Sequence, residues 1–337
     1  MIILRSYDLT LARIAWFAGR WDDALADTDT AARVAEDFGI RFGLVATEGV
    51  RGLLAFHRGE HAAARAALAR RQADRPGSGT DASGSELFVL LQARLLETAG
   101  MLDEAVATLV DFFDLMKPLG MNAGRLWPGP VGVRLALAAG KANVADAIAA
   151  DLEAIADRAG SGSARAAVSF ARGLIDADAA HLADAATGFS AAGRPLDQLE
   201  ALEAAGSVHN GAGERDAAIG CLRDALSIAH RLGAAHDARR IGAALRELGV
   251  KIGIKEQPTR VTHGWESLTK AEREVARLVG QGLRNREIAD QLYVSRRTVE
   301  THVSRVHAKL GTRTRVALTA AMHEHEERGA RAETPAS

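Results

Sequence analysis

The chain has 337 residues, 47% of them apolar and 25% charged, with a formal net charge of −1. Such values describe an ordinary globular protein of two or three domains. They exclude wholesale disorder, and the single cysteine, Cys221, excludes an internal disulfide and favours a reducing cytoplasmic compartment. No apolar run reaches the roughly 18 residues of a membrane span, and Met1–Asp8 lacks the basic and apolar regions of a signal peptide, so neither a membrane nor secretion is expected.

Residues 1–248 read as helices throughout: alanine and leucine are abundant, β-branched and aromatic residues sparse, and no strand-like alternation persists. A turn followed by an alanine-rich helix recurs, as Ala18-Gly19-Arg20-Trp21-Asp22-Asp23-Ala24, Arg58-Gly59-Glu60-His61-Ala62-Ala63-Ala64, Ala99-Gly100-Met101-Leu102-Asp103-Glu104-Ala105 and Ala139-Gly140-Lys141-Ala142-Asn143-Val144-Ala145. A weaker copy lies near Asp178–Ala186 and a clear one at Ala212–Ala218. The first three steps between glycines are 40, 41 and 40 residues, the length of one helical hairpin and its connection. Glycine ends the first helix in a left-handed conformation, and the small residue beyond the turn lets the second helix come close. One hairpin cannot bury its apolar face alone, whereas stacked neighbours bury it jointly. The pattern resembles tetratricopeptide repeats with a longer spacing, which predicts an α-solenoid of about six irregular hairpins. Two interruptions are expected, a Gly/Ser-rich loop at Asp74–Ser85 and a break at Leu126-Trp127-Pro128-Gly129-Pro130. Residues 249–264 read as an interdomain linker.

The remainder differs in charge. Residues 1–262 carry 29 basic and 33 acidic groups, whereas residues 263–325 carry 11 basic and 7 acidic. A small basic module behind a weakly acidic body is what a polyanion binder shows. In it, Thr269 with Glu272 forms a capping box for a first helix that has Val275, Ala276, Leu278 and Val279 inward and ends at Gly280-Gln281-Gly282. A short second helix starts with Asn285 as its cap and has Ile288, Ala289 and Leu292 inward. Ser295 caps a third, on which Val299, Val303, Val306 and Leu310 make one apolar stripe up to Gly311. A fourth covers about Thr314 to His323. Two short helices joined by a brief turn, the second basic outside, describe a helix-turn-helix. Burying the stripe leaves Arg296, Arg297, Glu300, Thr301, Ser304, Arg305 and Ala308 outward. Short Thr301 and Ser304 let the helix sink into a major groove, Glu300 can accept from a cytosine amino group, and Thr301 can touch a thymine methyl. Arginines at the margins, with Arg313 and Arg315, suit phosphates.

Leu268-Thr269, Glu272-Arg273-Glu274-Val275, Gly282, Asn285, Glu287-Ile288-Ala289, Leu292, Ser295, Thr298-Val299, His302 and Lys309-Leu310-Gly311 resemble the LuxR-type DNA-binding domain over about 58 residues. The resemblance implies a four-helix module at 265–325 whose third helix reads the major groove through Glu300, Thr301 and Ser304 and whose fourth mediates dimerisation. It adds Asn285, Ser295, Thr298 and Lys309 to the residues assigned to double-stranded DNA, and implies transcription regulation as a homodimer, with RNA polymerase as a further contact, no enzymatic activity, and no cofactor or metal. Two departures stand out: many members carry arginine at Ala271 and lysine at Glu300. Helical repeats before such a module resemble the C-terminal part of large MalT-like, ATP-binding LuxR regulators. A phosphate-binding G-x-x-x-x-G-K-[ST] is missing here, since Gly140-Lys141-Ala142 lacks the earlier glycine and the hydroxyl residue. A shortened relative and a piece of a longer reading frame both fit. Residues 326–337 read as a disordered tail. The rival reading is a protein-interaction scaffold with a degenerate DNA-binding module, which Glu300 favours.

Overall fold

A computed structural model describes residues 11–37, 44–73, 84–251, 264–292, 294, 296–312 and 314–332. Among them every regular element is helical. The body comprises α1 (11–17), α2 (Trp21–Asp37), α3 (Leu44–His57), α4 (His61–Ala73), α5 (Ser85–Thr98), α6 (Leu102–Met116), α7 (Asn122–Leu126), α8 (Gly129–Ala138), α9 (Ala142–Ala159), α10 (Gly162–Ile175), α11 (Ala179–Ala191), α12 (Pro195–Gly211), α13 (Arg215–Leu232) and α14 (Ala235–Glu247). The C-terminal module comprises a 3-10 turn (Trp265–Ser267), α15 (Lys270–Gly280), α16 (Asn285–Leu292), α17 (Arg296–Leu310) and α18 (Arg315–Ala332).

Six hairpins form where the repeat places them, and one hydrogen-bond pattern closes all six. The amide three residues past the helix end reaches back five positions, in Arg20 to Ala15, Glu60 to Ala55, Met101 to Leu96, Lys141 to Ala136, Asp178 to Gly173 and Glu214 to His209. This turn needs a left-handed residue. Gly19, Gly59, Gly100, Gly140 and Gly213 supply it in five hairpins, and Ala177, at φ 50°, supplies it in the fifth along the chain. That is why the copy near Asp178 is weak in sequence yet present in the fold.

The small residue beyond each turn is fully buried: Ala24, Ala64, Ala105, Ala145 and Ala218 are each 0% exposed. The fifth hairpin carries Leu182 there, also fully buried. The facing helix compensates with Gly173, where a Cβ would lie 2.7 Å from Leu182 Cγ. Leucine in and side chain out conserve the packed volume.

The expected break at 126–130 is two residues wide, Trp127 and Pro128, between α7 and α8, with Pro130 in the first turn of α8. Trp127 packs edge-on against Phe17 at 4.6 Å, with the Arg13 guanidinium over its ring at 4.3 Å. The expected loop at 74–83 and most of the linker, 252–263, lie outside the described residues.

The stack also returns on itself. One apolar core runs from Ala15 and Trp16 to Ile241 and Leu245, and α14 packs back against α3. His57 Nδ1 lies 2.8 Å from Asp237 Oδ2 across that junction. Nearby, Arg134 grips Glu97 with bonds of 2.5 and 2.8 Å, Arg240 grips Glu203 at 2.7 and 2.6 Å, and Arg94 pairs with Glu200. The three arginines line a groove of about 660 Å³. Burial raises Glu97, but the two bonds and charge of Arg134, backed by Arg94 and Arg240, outweigh it and hold the carboxyl down at about 2.

At the end of the chain α18 continues past His323 to Ala332. Residues 324–332, EHEERGARA, are mostly strong helix formers, and the one glycine costs only about 1 kcal/mol.

Candidate nucleic-acid interface

The module has its own core, separate from the body's, built from Leu268, Val275, Leu278, Val279, Ile288, Val299, Val306 and Leu318. Local signals place each helix. Thr269 Oγ1 accepts from the Glu272 amide at 3.2 Å, and the Thr269 amide donates to Glu272 Oε2 at 2.8 Å, so α15 starts with a complete capping box. Gly282, at φ 85°, turns the chain after α15. Helix α16 begins at Asn285, one position earlier than a cap at Asn285 would allow; Glu287 Oε2 instead accepts the Arg284 amide at 2.6 Å. The Asn285 side chain is spent elsewhere, accepting from Arg315 Nη1 at 2.9 Å. Gly311 (φ 67°) and the Thr312 amide, bonded to His307 O at 3.0 Å, end α17 as the body's hairpins end.

On α17, Val299 and Val306 are fully buried, and Val303 and Leu310 pack partly buried beside them. The opposite ridge consists of Arg296, Arg297, Glu300, Ser304 and Ala308, all exposed, with Thr301 half-buried at its edge. Thr301 Oγ1 donates to Arg297 O at 3.1 Å. Arg296 Nε lies 2.9 Å from Glu300 Oε1, so one arginine of the ridge is neutralised within a single turn.

Other residues assigned to DNA from the sequence lie off this ridge. Thr298 is 3% exposed. Lys309 Nζ lies 2.6 Å from Glu272 Oε2, and Glu272 is 1% exposed, so the lysine ties α17 to α15. Arg315 bridges Asn285 and the Leu283 carbonyl. Ser295 and Arg313 lie outside the described residues.

Arg305 is turned to the body. Its Nη1 donates to Asp22 O at 2.8 Å and its Nη2 to Asp29 Oδ2 at 3.0 Å, both on α2. Beside it His302, 7% exposed, faces Asp23, and Thr269 Oγ1 lies 3.5 Å from Asp23 Oδ1. Burial pushes His302 below the usual imidazole range, against the pull of Asp23 and Glu272. Burial also raises Asp23, which His302 and Arg20 oppose. The sequence reading did not anticipate this seam; the one hint is Asp22, Asp23, Asp27 and Asp29 clustered in a stretch with no basic residue from Trp21 to Ala32.

Comparison with known proteins agrees with the geometry. Residues 266–322 match the family described as bacterial regulatory proteins, luxR family. Putative HTH-type transcriptional regulators of Mycobacterium bovis and Mycobacterium tuberculosis are 53% identical over 66 residues, 20% of this chain and 7% of theirs. Response regulator Rre1 of Synechocystis is 38% identical over 87 residues, 26% of this chain and 36% of its own. The C-terminal module is therefore a LuxR-family helix-turn-helix domain, the DNA-binding part of transcriptional regulators. The chain spans 7% of the length of the mycobacterial relatives and 36% of that of Rre1, and the family match is confined to residues 266–322. No described helix is long and apolar enough to cross a membrane.

Proposed function

We propose that the chain is a sequence-specific transcription regulator whose α17 enters the major groove, with the helical body as sensor or oligomerisation platform. The carrying observation is the division of α17 into a buried valine seam and an exposed ridge of Arg296, Arg297, Glu300 and Ser304, with Thr301 half-buried at its edge. A groove about 12 Å wide admits one helix, and short side chains at 301 and 304 allow close approach. Glu300, Thr301 and Ser304 read base edges in this proposal, and Arg297 meets phosphates. Two modules on neighbouring half-sites would sit about 34–36 Å apart. A body that closes around an arginine-lined groove of about 660 Å³ suits a sensor.

Selection of bound fragments from random duplexes tests the reading. An enriched inverted repeat is expected. Uniform recovery would instead support the scaffold reading, which the Arg296–Glu300 pair favours because it removes net charge from the ridge.

A further inference from the structure

Arg305 has two competing uses. On the free chain it bonds the Asp22 carbonyl and the Asp29 carboxylate of α2. Asp29 is held in place from behind by Arg51 Nη2 of α3 at 2.6 Å, so the acceptor is positioned by the body and not by the module. His302, Arg305 and Lys309 share one flank of α17, next to the exposed ridge, and α2 packs along that flank.

The geometry excludes a duplex from the same flank. A helix with its side chains is about 10–12 Å across, so one helix fills a major groove about 12 Å wide and has a phosphate strand on either side. A second helix packed at about 8–10 Å on its flank takes the place of one strand. Charge acts in the same direction. Asp23 and Asp29, the α2 carboxylates that meet the module, would stand beside a backbone with one negative charge about every 1.7 Å of duplex.

We infer that α2 is an intramolecular acidic competitor for DNA: it holds the phosphate flank of α17 through Arg305, and the module must leave α2 before α17 can seat in the groove. The inference rests on the DNA-binding reading above and names the regulation of that site. In the closed arrangement Asp29 Oδ2 stands where a phosphate oxygen would accept from Arg305. Opening exchanges one anionic acceptor for another, so the contact lowers affinity without forbidding binding.

The test compares the full chain with Asp29→Asn on a duplex recovered from the selection, by fluorescence anisotropy. Hydrogen exchange over residues 298–309 is followed without DNA. Asp29→Asn leaves Arg51 its second partner, Glu48 at 2.7 Å, so the body keeps its local ion pair. The expected result is about tenfold tighter DNA binding with faster exchange along α17. Unchanged affinity overturns the inference, whether exchange rises (the contact breaks without consequence) or stays the same (the contact does not hold the module). Should Asp29→Asn fail to fold, Asp23→Asn tests the same face at Thr269 and His302 without touching Arg51, with the same two outcomes. Failure of every folded form, wild type included, to bind any duplex at low salt would instead remove the DNA-binding reading itself.

Discussion

His57 and Asp237 meet at 2.8 Å with side chains 1% and 0% exposed, tying the second hairpin to the last helix of the body. Arg240 Nη2 adds a contact to the other oxygen of Asp237 at 3.1 Å. The carboxylate thus anchors a junction between segments 180 residues apart in the chain. Removing one partner of a buried pair leaves the other uncompensated and costs about 3–5 kcal/mol. Asp237→Ala is expected to lower the melting temperature of the body by roughly 10 °C, measured by far-ultraviolet circular dichroism. An unchanged midpoint would show that α14 is not fastened there.

The same region sets the acid response. Burial alone would raise Asp237, yet His57 and Arg240 hold it far below the usual carboxylate range, and Glu97 sits at about 2 through Arg134. A carboxyl depressed on folding stabilises above its unfolded pKa, 4.5 for Glu97, and loses that contribution as pH falls towards the folded value. Denaturant midpoints for the body should therefore be insensitive to Glu97 from pH 7 to about 5 and fall below that. Arg134→Met should lower stability at neutral pH and make the acid-side fall shallower. Equal acid slopes in both proteins would remove Glu97 from the account.

Lys309 separates a structural from a DNA-binding role. With its ammonium on the buried Glu272, Lys309→Met is expected to destabilise the module by about 3 kcal/mol and lower its melting transition. A normal melting transition combined with a salt dependence of DNA binding reduced by about one unit would place Lys309 on phosphate instead.

The ridge residues should sort by type. Arg297→Ala is expected to weaken binding to all sequences alike and to lower the slope of log affinity against log salt by about 0.9. Changes at Thr301 or Ser304 should alter base preference by about 1–3 kcal/mol per position. Glu300→Gln frees Arg296 from its pair at 2.9 Å, so it should strengthen binding to unrelated sequences and shift the preferred bases. Titrations over a panel of single-base operator variants measure all three, and a uniform response at Thr301 or Ser304 would take them off the bases.

By itself the sequence determined the local architecture. The turn glycines and buried alanines marked five of the six hairpins, Thr269 with Glu272 marked the start of α15, and the valine spacing marked which side of α17 is buried. Each of these signals acts between residues within about one or two helical turns, where the backbone fixes who meets whom. Tertiary structure decided the rest. Leu182 is tolerated because Gly173 faces it, the body closes because His57 reaches Asp237, and Arg305 lies on Asp29 while Lys309 lies on Glu272. A long cationic side chain can reach many acceptors at similar cost, and only the stacking of distant helices selects one. The basic residues were therefore legible as a charge, and their partners were not.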